Sequence, residues 1–199
     1  MFDDLYVWMT KRISNLFRLY IDDLYHSVPV GIYEGMFFVF CIGVFLFLTI
    51  RGFKTGAKLS LCLLVVEYVF LLYSSTVFFR PYTIETGHEL TPFWSYMAIQ
   101  EGKSDLKPVV LMNIAVFVPL GFLLYMFKEL KWWMVLLIGF VVSLSIEMLQ
   151  YIFHRGCPEF DDIFHNTLGC LVGIAIYKAV SSSCKFLSAM TLRIGKVRI

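Results

Sequence analysis

The segment WWMVLLIGFVVSLSIEMLQYIF, from Trp132 to Phe153, is apolar along almost its whole length and contains one charged residue, Glu147. About 20 helical residues cross the hydrocarbon core of a bilayer, and this segment is that long. A carboxylate inside such a segment is costly in lipid, so Glu147 must face other helices or a water-filled cavity. The segment therefore predicts a membrane-spanning helix that carries a buried polar group.

The composition of the whole chain supports a membrane protein. Hydrophobic residues make up 59% of the 199 residues and charged residues 16%, which is too apolar for a soluble domain. The net charge of +2 and the dispersed basic residues argue against nucleic acid as a partner. The five cysteines show no C-x-x-C spacing, so neither a disulfide framework nor a zinc ribbon is indicated. We expect one membrane-embedded bundle without a cofactor.

Four further segments meet the same criteria of length and hydropathy. Residues 2–26 instead place apolar and charged residues at helical spacing, which predicts an amphipathic helix in the membrane interface or on the outside of the bundle. We therefore predict an all-α membrane protein with an amphipathic segment at 1–28, a transmembrane bundle at 29–180 and a basic cytoplasmic tail at 181–199. The predicted spans are Ile32–Ile50, Leu59–Phe79, Val109–Phe127, Trp132–Phe153 and Ile163–Val180.

Basic residues fall on one side of this predicted bundle. They occur after the first span, after the third span and beyond the fifth span, which are on the same side if the five spans alternate. Lys and Arg accumulate in short cytoplasmic loops, so the N-terminus is predicted outside and the C-terminus inside. The basic residues in question are Arg51, Lys54, Lys58, Lys128, Lys131, Lys178, Lys185, Arg193, Lys196 and Arg198.

The stretch IEMLQYIFHRGCPEFDDIFHNTLG, Ile146–Gly169, connects the fourth and fifth spans on the external side and is rich in polar groups. Spacings of three and four residues bring Glu147 and Gln150 to one helical face, and likewise Asp162 and Asn166. Polar residues from the second and third spans reach the same side. We predict an outward-facing polar pocket whose ligand-binding residues are Arg80, Asn113, Glu147, Gln150, Arg155, Asp161, Asp162 and Asn166.

The same residues also have a purely structural interpretation. Asp161 or Asp162 is well placed to cap the fifth helix, and Arg155 to form an ion pair. Intramembrane charge is seldom kept for stability alone, which favours a function. A metal site is the weaker interpretation, because the spacing of the carboxylates and histidines matches no recognised set such as H-E-x-x-H. No metal is therefore predicted.

Two features elsewhere leave alternatives open. Glu67, near the middle of the second span, is either part of a proton path or hydrogen-bonded to a neighbouring helix. Gly169 and Gly173 permit close approach of helices, either inside the bundle or at a face between two copies of the chain. The sequence is thus compatible with a homo-oligomer.

Several motifs occur together and in order. They are NIAVFVPLGFLL (Asn113–Leu124), SIEMLQ (Ser145–Gln150) and RGCPEFDDIFHNTLGCLVG (Arg155–Gly173), preceded by RPY and LTPFWSY. In this combination the chain resembles the VanZ-like family of small bacterial membrane proteins over about residues 80–177. The resemblance implies a multi-pass protein of the bacterial cytoplasmic membrane, associated with reduced susceptibility to the lipid-bearing glycopeptide teicoplanin. It supplies no catalytic residue, and His88, Glu89 and Leu90 depart from the usual family pattern.

These observations lead to three functional hypotheses, in each of which membrane lipids surround the protein. In the first, the pocket binds a lipid-linked envelope component, such as a cell-wall precursor, or a lipoglycopeptide, and contributes to teicoplanin-type resistance. Arg80 and Arg155 would hold an anionic group, while carboxylates and amides would orient them or bond to the ligand. In the second, the protein is an enzyme acting on a lipid-linked cell-wall precursor, with Glu147 as general acid or base. In the third, it is an assembly factor whose external loops hold a partner protein.

Overall fold

The computed structural model describes the backbone of residues 30–80, 87 and 89–197, and the side chains of residues 35–80, 87 and 89–184. The predicted amphipathic helix at 2–26 lies outside these residues. Within them the protein is helical, with one isolated parallel β-bridge between Glu89 and Glu159. The predicted all-α class is therefore confirmed.

The helices follow the apolar segments closely, and we number them in chain order. They are α1 (Val30–Ile50), α2 (Lys54–Tyr73, continued by a π-helical turn at Ser74–Phe78), α3 (Trp94–Gln100), α4 (Leu106–Tyr125), α5 (Trp132–Phe153) and α6 (Phe160–Val197). Helix α5 begins and ends where the sequence predicted, whereas α6 begins three residues before its predicted start and continues beyond Val180. The short helix α3 was not predicted.

Four of these helical segments are long and apolar enough to cross a membrane, namely Lys54–Phe78, Leu106–Tyr125, Trp132–Phe153 and Phe160–Cys184. The part of α1 with described side chains, Gly35–Ile50, is a shorter apolar helix. Large apolar side chains such as Phe40 and Leu111 are exposed on the outside of the bundle, where lipid would cover them. The chain is therefore a membrane protein, while the direction of its termini stays a prediction.

Among the described helices, α4 and α6 have the most extensive contact, and glycine makes their close approach possible. A Cβ atom on Gly169 would lie 2.2 Å from the carbonyl oxygen of Ile114, and one on Gly173 would lie 2.2 Å from that of Val118. Small residues allow helix backbones to touch in this way in membranes. Of the two uses left open for this glycine pair, the structure shows the one inside the bundle.

Polar side chains within the spans are paired with neighbouring helices. The Tyr68 hydroxyl of α2 donates a hydrogen bond to the carbonyl oxygen of Val116 in α4, at 2.6 Å. The hydroxyls of Tyr73 in α2 and Ser145 in α5 lie 2.5 Å apart. Such pairs satisfy polar groups where no water reaches them, and they fix the helices around a core contributed by α2, α4, α5 and α6.

Candidate functional site

The residues predicted to form a polar pocket lie at one end of the bundle. At this end α2 finishes, α4 begins, and α5 is joined to α6 by a short loop. The segment after α2 also reaches this loop, since the N–H of Glu89 donates to the carbonyl of Pro158 and the N–H of Phe160 donates to that of Glu89, both at 3.0 Å. The structure thus brings the predicted residues into one region, although it gives them different surroundings.

Arg155 is buried in the fold instead of facing a pocket. Its side chain is 1% exposed, and its Nη1 donates to the carbonyl oxygens of Phe78 and Arg80, each at 2.7 Å. These carbonyls belong to the last residue of the π-helical turn and to the second residue after it, where regular helical bonding stops. Arg155 therefore holds the end of α2 against the loop between α5 and α6.

Asp161 has a comparable role on the other side of the loop. Its carboxylate is 1% exposed and accepts hydrogen bonds from the N–H groups of Phe93 and Ser95 and from the Ser95 hydroxyl. These are the free donors at the start of α3, so Asp161 caps that helix. The sequence predicted that Asp161 or Asp162 would cap the fifth spanning helix, which is α6. In the structure Asp161 caps α3 instead.

Glu147 and Glu159 form the acidic part of the site. Glu147 is 6% exposed, and one of its oxygens accepts a hydrogen bond from the N–H of Glu159, at 3.0 Å. Within the described part of the chain, Glu147 accepts no other hydrogen bond. The Glu159 carboxylate accepts a bond from the indole N–H of Trp94, at 3.2 Å. Burial, together with the nearby carboxylates of Asp161 and Glu89, raises the pKa of Glu159 above its usual value.

The neutral polar residues each bond to a different helix. Asn113 of α4 donates to the carboxylate of Asp162, at 2.5 Å. Asn166 of α6 donates to the hydroxyl of Ser143 in α5, at 2.8 Å. Gln150 donates to the carbonyl of Thr76, at 3.0 Å, while its buried Oε1 accepts no hydrogen bond from the described residues. These amides hold the helix ends together around Glu147.

Arg80 is exposed and lies across the loop between α5 and α6. A Cβ atom on Gly156 would lie 2.5 Å from Nη1 of Arg80 and 3.5 Å from the Gln150 side chain. Gly156 also has a φ of +109°, a conformation that side-chain-bearing residues rarely adopt. Glycine at this position therefore lets the guanidinium approach the loop, where it contributes positive charge near Glu147 and Glu159.

An apolar groove of about 900 Å³ opens beside the acidic residues, between α5 and α6. Its outer end is bordered by Leu90 and Pro158, from the two connecting segments. The polar residues on its walls are Glu147, Tyr151, Glu159 and Thr167, and the remaining walls are apolar. They include Phe140, Leu144, Met148 and Ile152 of α5 and Ile163 and Phe164 of α6.

Sequence reasoning missed Glu159 and the segment around α3. Glu159 lies in the polar stretch Ile146–Gly169 but is not among the residues predicted to bind a ligand. Its place on the groove wall follows from the bridge to Glu89, which has no local signal in the sequence. Tyr96 of α3 lies 2.9 Å from Nε2 of the buried His165, again across a long separation in sequence. In the described part of the chain, no three His, Cys, Asp or Glu residues are grouped so that they could hold a metal ion.

Comparison with known proteins gives a consistent family. The sequence model of the VanZ/LLP1 family matches residues 65–181. This match begins before and ends after the region of about residues 80–177 that the motifs indicated. A curated relative, Protein VanZ of Enterococcus faecium, is 35% identical over 66 residues, which cover 33% of this chain and 41% of the relative. The chain thus spans less than half the length of that relative. No solved structure matches the chain.

Proposed function

The chain belongs to the VanZ-like family, and from this premise we propose that it binds the apolar chain of a lipid-linked envelope component or of a lipoglycopeptide in the groove between α5 and α6. By binding such a ligand in the bacterial cytoplasmic membrane, it would contribute to teicoplanin-type glycopeptide resistance. The polar part of the ligand would lie at the outer end of the groove, beside Glu147, Glu159 and Arg80.

The groove is the observation that carries this proposal. Its volume of about 900 Å³ falls in the range of small-molecule sites, roughly 300–1,000 Å³. The α5 residues on its wall run from Phe140 to Ile152, a distance of about 18 Å at 1.5 Å per residue. A groove on the outside of spanning helices lies among acyl chains, so a long apolar chain is the occupant that this environment supplies.

The arginines take different parts in this arrangement from those the sequence suggested. Arg155 has its Nη1 bonded to two backbone carbonyls and is almost fully buried. It supports the loop beneath the ligand site. Arg80 is exposed and is the arginine that a ligand at the outer end of the groove would meet.

A bulky substitution inside the groove tests the proposal. Leu144→Trp would fill the groove, whereas Val141→Trp places the same side chain on an exposed position of α5 that does not line it. The purified variants in nanodiscs would be labelled with a photoactivatable palmitoyl probe, and cells expressing them would be tested for teicoplanin susceptibility. We expect Leu144→Trp to lose labelling of α5 and α6 and to lose resistance, while Val141→Trp keeps both. Wild-type labelling in Leu144→Trp would contradict the proposal.

A second candidate function is catalysis on a lipid-linked cell-wall precursor. The observation that favours it is Glu147, a nearly buried carboxylate on the groove wall with one oxygen that accepts no hydrogen bond from the described residues. Such a group can take a proton from a bound substrate or deliver one to it. Glu147→Gln keeps the shape of the side chain and removes this capacity. An enzyme would lose turnover of a radiolabelled precursor in this variant without losing its thermal stability.

A further inference from the structure

Among the described residues, the walls of the groove carry acidic groups and no basic ones. Glu147 and Glu159 line its outer end, and no lysine, arginine or histidine is found among the described residues on its walls. The backbone N–H of Glu159 bonds to Glu147, which brings the two acidic residues together. Asp162 adds a third carboxylate near Glu147. The polar end of a ligand whose apolar chain lies in the groove is therefore surrounded mainly by hydrogen-bond acceptors.

The nearby arginines do not reverse this balance. Arg155 directs Nη1 to the carbonyls of Phe78 and Arg80 and is 1% exposed. Arg80 lies over Gly156, on the loop side of the acidic residues, and does not line the groove. Its single charge faces the carboxylates of Glu147, Glu159 and Asp162 together. The electrostatic preference at the end of the groove is thus for positive charge.

Hydrogen bonding leads to the same preference. The Glu147 oxygen without a described partner becomes an acceptor when a nearby ammonium group favours the ionised carboxylate. Such an acceptor gains more from a charged donor than from a neutral one. A phosphate offers more acceptors and negative charge, so placing it beside these carboxylates is unfavourable. An ammonium group offers three donors and the opposite charge.

We infer that the groove selects amphiphiles whose polar end carries an amine, and that it discriminates against those ending in phosphate. This inference rests on the proposed function, because it needs an apolar chain in the groove. It narrows the class of ligand, because it favours an amine-bearing lipoglycopeptide or aminolipid over a precursor whose apolar chain ends in phosphate.

The test compares two competitors with the same chain. Hexadecylamine and hexadecyl phosphate would compete with the photoactivatable palmitoyl probe for protein in phosphatidylcholine nanodiscs at neutral pH. We expect the amine to reduce labelling at a concentration about tenfold lower than the phosphate, the effect of one charge-assisted hydrogen bond. Glu159→Gln should reduce the difference between the competing concentrations of amine and phosphate. The double variant with Glu147→Gln should abolish that difference. Glu101→Gln, an exposed acid at the end of α3 and away from the groove, is the control for general surface charge and should keep the difference.

The possible outcomes separate the inference from the proposed function. Equal competition by amine and phosphate in the wild type would overturn the inference while leaving chain binding intact. A preference for the amine that survives in Glu159→Gln and in the double variant would also overturn it, because the carboxylates would not be its cause. A wild-type protein that takes up no palmitoyl probe in the groove would refute the proposed function itself.

Discussion

Asp161, in the first turn of α6, accepts two hydrogen bonds from Ser95, one from its N–H at 3.0 Å and one from its hydroxyl at 2.5 Å. The same carboxylate accepts a third bond from the N–H of Phe93, a residue with a φ of +61°. That conformation is uncommon for a residue other than glycine. One buried carboxylate therefore fixes the start of α3, and with it the segment that borders the groove.

Asp161→Ala should destabilise the protein more than Ser95→Ala. The first change leaves three donors at the start of α3 without their acceptor, whereas the second removes one hydroxyl donor. Each buried donor left unpaired costs about 1–3 kcal/mol, and loss of a helix cap about 0.5–2 kcal/mol. Unfolding in mixed micelles with increasing SDS measures the difference. Equal losses in the two variants would show that the cap of α3 contributes nothing beyond the Ser95 hydroxyl.

Gly169→Ala should weaken the contact between α4 and α6. The added Cβ would lie 2.2 Å from the carbonyl of Ile114, so the helices must separate, at a cost of about 1–3 kcal/mol or more. Gly43→Ala is the matched control, since a Cβ there meets nothing within 4 Å. We expect the control to unfold at the wild-type SDS fraction or slightly above it, because alanine favours a helix over glycine. If Gly169→Ala unfolded at the same SDS fraction as the wild type, the close packing of α4 and α6 would be refuted.

Arg155→Ala should lower stability strongly, and Arg80→Ala only slightly. Arg155 donates to two backbone carbonyls, and hydrogen bonds to a charged group contribute about 1.5–3 kcal/mol each. Arg80 is exposed, so its removal costs little packing. Membrane insertion and the SDS unfolding midpoint of both variants check this. If Arg155→Ala folds as well as the wild type, its contacts with the end of α2 are not needed for the fold.

Glu159 should make stability depend on pH. Because its pKa is raised by burial, the folded protein holds this proton more tightly than the unfolded chain, in which glutamate titrates near about 4.3. The stabilisation is complete below the unfolded pKa and is lost as pH rises through the folded pKa. Glu159→Gln removes this term, so the variant should lose less stability than the wild type when pH rises from about 4 to 7.

The control for this measurement is Glu101→Gln, which alters an exposed acid. Thermal unfolding in detergent at a series of pH values would give both profiles. The control should follow the wild-type profile across the range. If Glu159→Gln followed it too, burial of Glu159 would have no effect on its protonation.

The length and hydropathy of the apolar runs were sufficient to predict most of the fold. Trp132–Phe153 is a helix with the predicted bounds, because both ends are marked by a change from apolar to polar residues. The predicted span began later than α6 because the charged residues Asp161 and Asp162, in the first turn of this helix, were left outside the apolar segment. Charged side chains at that position are compatible with a helix when they bond to another segment, and no local pattern reveals such bonds.

The position of the polar residues was also predictable, but their partners were not. The sequence predicted that Arg155 and Asp161 lie at the same end of the bundle as Glu147. Their bonds are to Phe78 and Arg80 in one case and to Phe93 and Ser95 in the other. These partners lie more than 60 residues away in the chain, so helical spacing carries no information about them.

By itself, the sequence determined that this protein lies in a membrane and where its helices run, because burial of apolar surface and backbone hydrogen bonding act along each segment separately. It also determined that polar groups gather at one end. The tertiary structure decided which of them support the fold and which line the groove between α5 and α6. That choice depends on contacts between distant segments, which arise only when the helices have packed.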